Sequence, residues 1–190
     1  MPFHLTSYSE LILGEGAAMK DIHFRKARKE DINGILAIYQ YSIEHDDATY
    51  ITKCPSWREW DRDHDKDQRI VAVIDNNIVG FVAVAAEKQF TEELKSKAGL
   101  VSIYVDHRYR HSGIGTMLLQ CLIRYNSYLQ MAGRNGAYRY LHSRIFTNNQ
   151  LSIDLHKKVG FKNVQYCEKS LKKNGRLWDT YVFERRTAVL

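Results

Sequence analysis

The chain has 190 residues, 44% of them hydrophobic and 26% charged, with a formal net charge of +6 and a pI near 9.2. That length fits one domain with a sizeable core. No apolar run approaches the roughly 18 residues that span a bilayer. The lysines and arginines are scattered and form no basic tail, which argues against nucleic acid as the partner.

The first residues, MPFHLTSYSELILGEGAAMK, lack the basic start and long apolar stretch of a secretory leader, so a cytoplasmic protein is expected. They also lack periodicity. A domain beginning naturally at Met19 is expected, with 1–18 as a dispensable N-terminal extension and 19–190 as a single domain. IHFRKA alternates and predicts a first strand. In KEDINGILAIYQYSIEH the apolar residues Ile32, Ile35, Leu36, Ile38, Tyr39 and Ile43 share one helical face, with Asp31 as the expected N-cap. SWREWDRDHD, after Pro55, predicts a short helix. RIVAVIDNNIVGFVAVAAE predicts a hairpin, because two β-branched runs flank Asp75-Asn76-Asn77, residues that tolerate left-handed turns.

AGLVSIYV predicts a further strand and the run from about Gly113 to Met131 a long helix. YRYLHSRIF predicts a strand, NNQLSIDLHKKVGF a helix ending at Gly160, and NVQYCEKSL a strand. A turn at Lys173-Asn174-Gly175 then leads into a last strand, LWDTYVFERR. The order βα(α)ββββαβαββ, without repeat or linker, implies one mixed α/β domain.

Two stretches invite a metal. DRDHDKD sets Asp61, Asp63, Asp65 and Asp67 at alternate positions, as a calcium loop begins. Its sixth position is Lys66 in place of glycine and its twelfth Ala72 in place of glutamate. His107 and His111 are four apart but not on a helix. The three cysteines, Cys54, Cys121 and Cys167, are unclustered. No metal is expected.

The informative stretch is VDHRYRHSGIGTMLLQCLI, which joins a strand to a helix. A helix N-terminus offers unpaired N–H groups and the positive end of the macrodipole, a natural seat for phosphate. Gly113 and Gly115 would let backbone approach closely, and Arg108, Arg110 and His111 add charge. A Walker loop is excluded because Thr116-Met117 follows Gly115. The dinucleotide fingerprint is excluded because Leu118 stands where its third glycine belongs.

Arg-x-x-Gly-x-Gly, Arg110 to Gly115, resembles the acetyl-CoA motif of the GNAT superfamily of N-acetyltransferases. Asn149, Ser152, Leu155, His156, Gly160 and Phe161 resemble a second segment of that family. The resemblance runs from about Ile22 to Arg186. Within the superfamily the chain is most similar to the phosphinothricin (or methionine sulfoximine) acetyltransferase group, through FRKARKEDINGILAIYQYSIE with Glu44, Ile103–Arg108, Leu155-His156 and Asp179. Where that group carries a glutamate on the fourth strand, this chain has Leu100 or, beside it, Val101.

The resemblance implies a twisted, mostly antiparallel sheet of 6–7 strands, splayed between the fourth and fifth, with about four helices on its faces. It implies direct transfer of an acetyl group from acetyl-CoA to a small-molecule primary amine, with no metal and no membrane or nucleic-acid partner. A second copy of the chain, as a homodimer, stays open. So do acetylation of a protein or polyamine amine and a non-catalytic acetyl-CoA sensor.

Such transfer needs a neutral amine (ordinary pKa about 10), a polarised carbonyl and help for the leaving thiolate. By the resemblance, backbone of Ile103, Tyr104 and Val105 would serve the carbonyl and pantetheine. Arg110, His111, Ser112, Gly113, Ile114, Gly115 and Thr116 would hold the phosphates. Asn149 and Ser152 would hold the cofactor arm. His156 would sit at the sulfur and protonate it, or merely pack on its helix. Glu44 would bind or deprotonate the amine, or be an ordinary surface carboxylate.

Overall fold

The computed structural model describes residues 22–86 and 98–187, so the expected extension at 1–18 lies outside the described residues. The elements are β1 (Ile22–Lys26), α1 (Ile32–His45), α2 (Trp57–Asp63), β2 (Arg69–Ile74), β3 (Asn77–Ala86), β4 (Ala98–Val105), α3 (Ile114–Met131), β5 (Tyr140–Phe146), α4 (Gln150–Lys158), β6 (Lys162–Lys173) and β7 (Arg176–Arg186). The sequence reading holds element by element, except that three described strands, not four, lie between α2 and α3.

All seven strands form one sheet in the order β1-β2-β3-β4-β5-β7-β6. Every described pairing is antiparallel except β4 with β5. β2 is buried at every position because both faces of the sheet are covered. Ile70, Ala72 and Ile74 join the core under α3 and α4, with Val82, Val84, Leu118, Leu122 and Ile153. Val71 and Val73 face the other way, with Ile35, Ile38, Tyr39, Trp60 and Phe81 under α1 and α2. The two-residue alternation of a strand divides one apolar run between two cores.

Asp75 and Asn76 both take positive φ (49° and 62°), the tight hairpin turn expected there. Asp31 behaves differently from expectation. Its carboxylate makes no capping bond to α1. It accepts from the Arg28 backbone N–H and, through both oxygens at 2.7 Å, from Arg25. It therefore ties the entry of α1 to β1.

The feature that positions the site is the departure of β5 from β4. β4 pairs with β3 from Gly99 to Val105 but with β5 only at Ala98–Leu100, opposite Tyr140–His142. Past that point β5 runs on with β7, from Ser143↔Phe183 to Phe146↔Thr180. A wedge opens between Val101–Val105 and Ser143–Phe146. At its closed end Gly99 is hemmed in, since a Cβ there would lie 2.4 Å from Val84 Cγ1 and 2.8 Å from Tyr138 Cγ. Gly99→Ala should therefore cost about 1–3 kcal/mol by overpacking. Chemical denaturation would show this as a lower midpoint, and an unchanged midpoint would mean that the strands separate freely there.

Candidate active site

Two cavities meet at the wedge. The first, about 390 Å³, is lined by Ser42 on α1 and Asp46, Asp47 and Ala48 after it, by Ile103–Val105, by Arg110, and by Asn148, Asn149, Leu151, Ser152 and Leu155 around the start of α4. The second, about 380 Å³, lies on the α1–α2 side. Its walls include Tyr39, Tyr50, Pro55, Trp60 and His64, the strand segments Leu100–Tyr104 and Ser143–Ile145, and His156. Ala48, Ile103, Tyr104 and Ser152 line both. A molecule in one cavity can thus touch a molecule in the other across the unpaired edge of β4.

The turn before α3 is built from left-handed backbone. His111 has φ 62° and Gly113, the N-cap, has φ 84°. The first bond of the helix runs from the Met117 N–H to the Gly113 carbonyl. The N–H groups of Ile114, Gly115 and Thr116 precede it, so helix geometry gives them no partner within α3. Ile114 is buried in the core, so only its backbone can meet a ligand. Gly115 also serves packing. A Cβ there would stand 3.2 Å from Leu155 of α4 and 3.7 Å from Val105, so this glycine lets α4 come close to β4.

The arginines of the turn are also not the bare charges that the sequence suggests. Arg108 is held by Asp106 at 2.6 Å, and Arg110 forms a two-pronged pair with Asp46, which also accepts from Ser42 at 2.8 Å. Burial pushes the Asp46 carboxyl up, but the bonds from Arg110 and Ser42 outweigh it and hold the group below the usual carboxylate range. Lys173, buried at the tip of the β6–β7 hairpin, donates to the Asp46 carbonyl at 2.7 Å and lies 3.6 Å from Asp47. One aspartate so joins the turn, the α1–α2 loop and the hairpin tip.

On α4 the Asn149 oxygen accepts from the Ser152 N–H at 3.1 Å, which caps the helix. The NH2 end of Asn149 is what it can turn to a ligand. His156 is 1% exposed and packs edge-on to Phe161. Its Nδ1 lies 2.7 Å from the Ser152 carbonyl, so Nδ1 carries the proton and donates, and Nε2 carries a lone pair. Nε2 is buried with no partner among the described residues. Burial pushes the ring down to about 4, against the opposing effect of the bond to Ser152. It is neutral at physiological pH.

Of the residues singled out by sequence, the structure gathers Ile103, Tyr104, Val105, Arg110, Asn149, Ser152 and His156 around the two cavities. His111, Ser112, Gly113, Ile114, Gly115 and Thr116 form the turn and the first helical residues beside them. Glu44 is not gathered there. It is half-exposed on α1, bonded to Gln40, and lines neither cavity. Sequence reasoning misses Asp46 and His64. No spacing marks Asp46, and His64 reads only as part of an acidic run. Among the described residues no cluster of His, Cys, Asp and Glu could hold a metal ion.

A splayed sheet with a left-handed turn leading into a helix beside the gap is the frame on which the comparisons with known proteins bear, and they make it an acyltransferase. The chain belongs to the acetyltransferase (GNAT) family, whose profile matches residues 30–161. It is 29% identical over 151 residues to an N-alpha-acetyltransferase of Sulfurisphaera tokodaii, covering 77% of this chain and 83% of that one. It is 24% identical over 170 residues to the L-amino acid N-acetyltransferase AaaT of Escherichia coli, covering 88% and 99%. Its fold matches the structure of a phosphinothricin acetyltransferase from Sinorhizobium meliloti in complex with acetyl-CoA, with a TM-score of 0.73 at 24% identity over 88% and 89% of the two chains. No described helix is long and apolar enough to cross a membrane.

Proposed function

We propose that the chain moves an acetyl group from acetyl-CoA to the primary amine of a small molecule, an amino acid or its analogue, with both held at once. The observation that carries this reading is the meeting of the two cavities at Ile103, Tyr104 and Ser152. Acetyl-CoA suits the first cavity. Its amide-bearing arm needs strand-like partners, and Val101–Val105 lack a β5 neighbour. Its pyrophosphate needs N–H donors, and the turn before α3 leaves three of them without a helical partner.

In this reading the backbone of Ile103–Val105 orients the arm and the thioester, and Ser112–Thr116 receive the phosphates. The Asn149 NH2 group donates to the arm, and Ser152 stands where the cavities join. The tautomer of His156 leaves a lone pair at Nε2, buried behind the wall of the second cavity. To protonate a thiolate from Nε2 it would first have to take up a proton, which its burial opposes. Glu44 has no part in the reading.

Two of the chain's relatives carry the names N-alpha-acetyltransferase and L-amino acid N-acetyltransferase, which supports an α-amine as the acceptor. The test is titration with acetyl-CoA, then thiol release over a panel of L-amino acids, phosphinothricin, a polyamine and a peptide with a free N-terminus. Release is expected with L-amino acids first. Binding without release on any amine would overturn catalysis in favour of a sensor.

A further inference from the structure

Acetyl transfer to an amine needs a proton acceptor on the amine's side of the thioester. On β4 the side chains of Leu100, Ser102 and Tyr104 line the second cavity, and none is a carboxylate. A proton acceptor in that cavity therefore has to come from another element.

Asp63 of α2 also lines the cavity, but both of its carboxylate oxygens are held by Arg62, so the group that qualifies is its neighbour His64, at the C-terminal end of α2. It lines the second cavity together with Leu100, Ala85 and Ser102. Its ring stacks on Trp60 with centroids 4.6 Å apart. Its Nδ1 lies 2.9 Å from the Trp60 carbonyl, so Nδ1 donates there and the lone pair falls on Nε2. The His64 carbonyl in turn accepts from the guanidinium of Arg69, which is almost fully buried and also bound to Asp61 at 2.6 Å. Orientation and tautomer are thus both fixed by neighbours, as a positioned base requires.

We propose that His64 is the base that takes the proton from the acceptor amine. This rests on the acetyl-transfer reading above. Nε2 accepts one proton from the ammonium group, leaving R–NH2 with its electron pair. That nitrogen forms the C–N bond to the acetyl carbonyl as the C–S bond breaks, and the electron pair of that bond leaves on sulfur. Of the two protons lost from nitrogen, one ends on the thiol and the other returns to solvent from Nε2. His156 faces the same cavity from α4, but its Nε2 is sealed from solvent and has no route for that return. His64 is only partly buried and has one.

The charged and titratable groups around His64 are Arg69 on β2, Asp61 and Asp63 on α2, Tyr39 on α1, Tyr50 from the α1–α2 loop, Tyr104 on β4, Arg144 on β5 and His156 on α4. Burial and the Arg69 charge lower the His64 pKa, while the bond to Trp60 and Asp63 oppose them. His64 is therefore in its accepting form above about pH 6.5.

The experiment compares wild type with His64→Asn, whose side-chain NH2 can still reach the Trp60 carbonyl while Nε2 is gone. With the best amine of the panel, kcat/KM at pH 7.5 should fall at least about a hundredfold. Acetyl-CoA affinity should stay within about twofold. The wild-type rate should plateau above its acidic limb. The variant's rate should climb about tenfold per pH unit up to the amine's own pKa, because only free amine then reacts. If His64→Asn gives no cooperative melt, His64→Gln is read in the same way. A loss below threefold, or an acidic limb that disappears in His156→Phe and persists in the His64 variants, overturns the proposal and leaves the acetyl-transfer reading standing. A wild type that binds acetyl-CoA but releases no thiol with any amine overturns both.

Discussion

Gly113→Glu is expected to weaken acetyl-CoA binding by at least about a hundredfold, roughly 2.7 kcal/mol. Two effects add. Gly113 has φ 84°, a left-handed conformation that costs an ordinary residue about 1–2 kcal/mol. The new carboxylate would also stand at the helix N-terminus where an anion is to bind, taking the same N–H groups and repelling the phosphates. Gly113→Asn is the control, because asparagine tolerates the left-handed region and carries no charge. It should bind within about tenfold of wild type. Calorimetric titration of both variants, with melting curves to establish folding, decides the matter. A folded Gly113→Glu with unchanged affinity would place the phosphates elsewhere.

The second large effect concerns acid. His156 is neutral in the native state down to about pH 4, whereas an unfolded histidine titrates near 6.5. Between those values the unfolded chain binds a proton that the folded chain refuses. Stability from this group is complete above about pH 6.5 and declines as pH falls towards 4, by ~3 kcal/mol in all. His64, also held below its ordinary value, acts with the same sign over a narrower span. The carboxylates of Asp31, Asp46 and Asp106, all held low by their arginine partners despite some burial, come into play only below about 3.8. Denaturation midpoints measured from pH 7.5 to 4 should therefore fall in wild type and fall much less in His156→Phe. A flat wild-type profile over that window would mean that His156 is not sealed in as described.

The features legible in the amino-acid sequence are the local ones. The hairpin at Asp75-Asn76 declares itself because two left-handed residues separate β-branched runs. The α3 turn declares itself through glycine spacing at a strand-to-helix junction. Gly115 shows how the same letter can carry two meanings. It reads as room for a ligand, yet its neighbours are Leu155 and Val105. Residues whose role depends on distant partners are not legible. Asp46 acquires its importance from Arg110, 64 positions on, and Lys173, 127 positions on, and nothing in its own neighbourhood announces either. Asp31 shows the converse: it stands at the N-cap of α1 as expected, but without the capping bond. Its type and place suit an N-cap, but Arg25 on the adjacent strand competes for the carboxylate and takes it.

The pairing of Arg108 with Asp106 and of Arg110 with Asp46 bears on how fast an anion arrives there. A chain of net charge +6 invites the picture of an electropositive funnel drawing in a polyphosphate. Here each guanidinium at the turn is matched by a carboxylate within hydrogen-bond reach, so the long-range field that the two arginines project into solvent is largely cancelled. What remains is short-range: backbone N–H groups that act only on contact. The two arginines should accordingly add little to the encounter rate or to its response to ionic strength, both of which are left to the net charge of +6 carried by the rest of the chain. Discrimination among anions passes to the dissociation step, where the fit of phosphate oxygens to a fixed array of N–H groups sets the residence time.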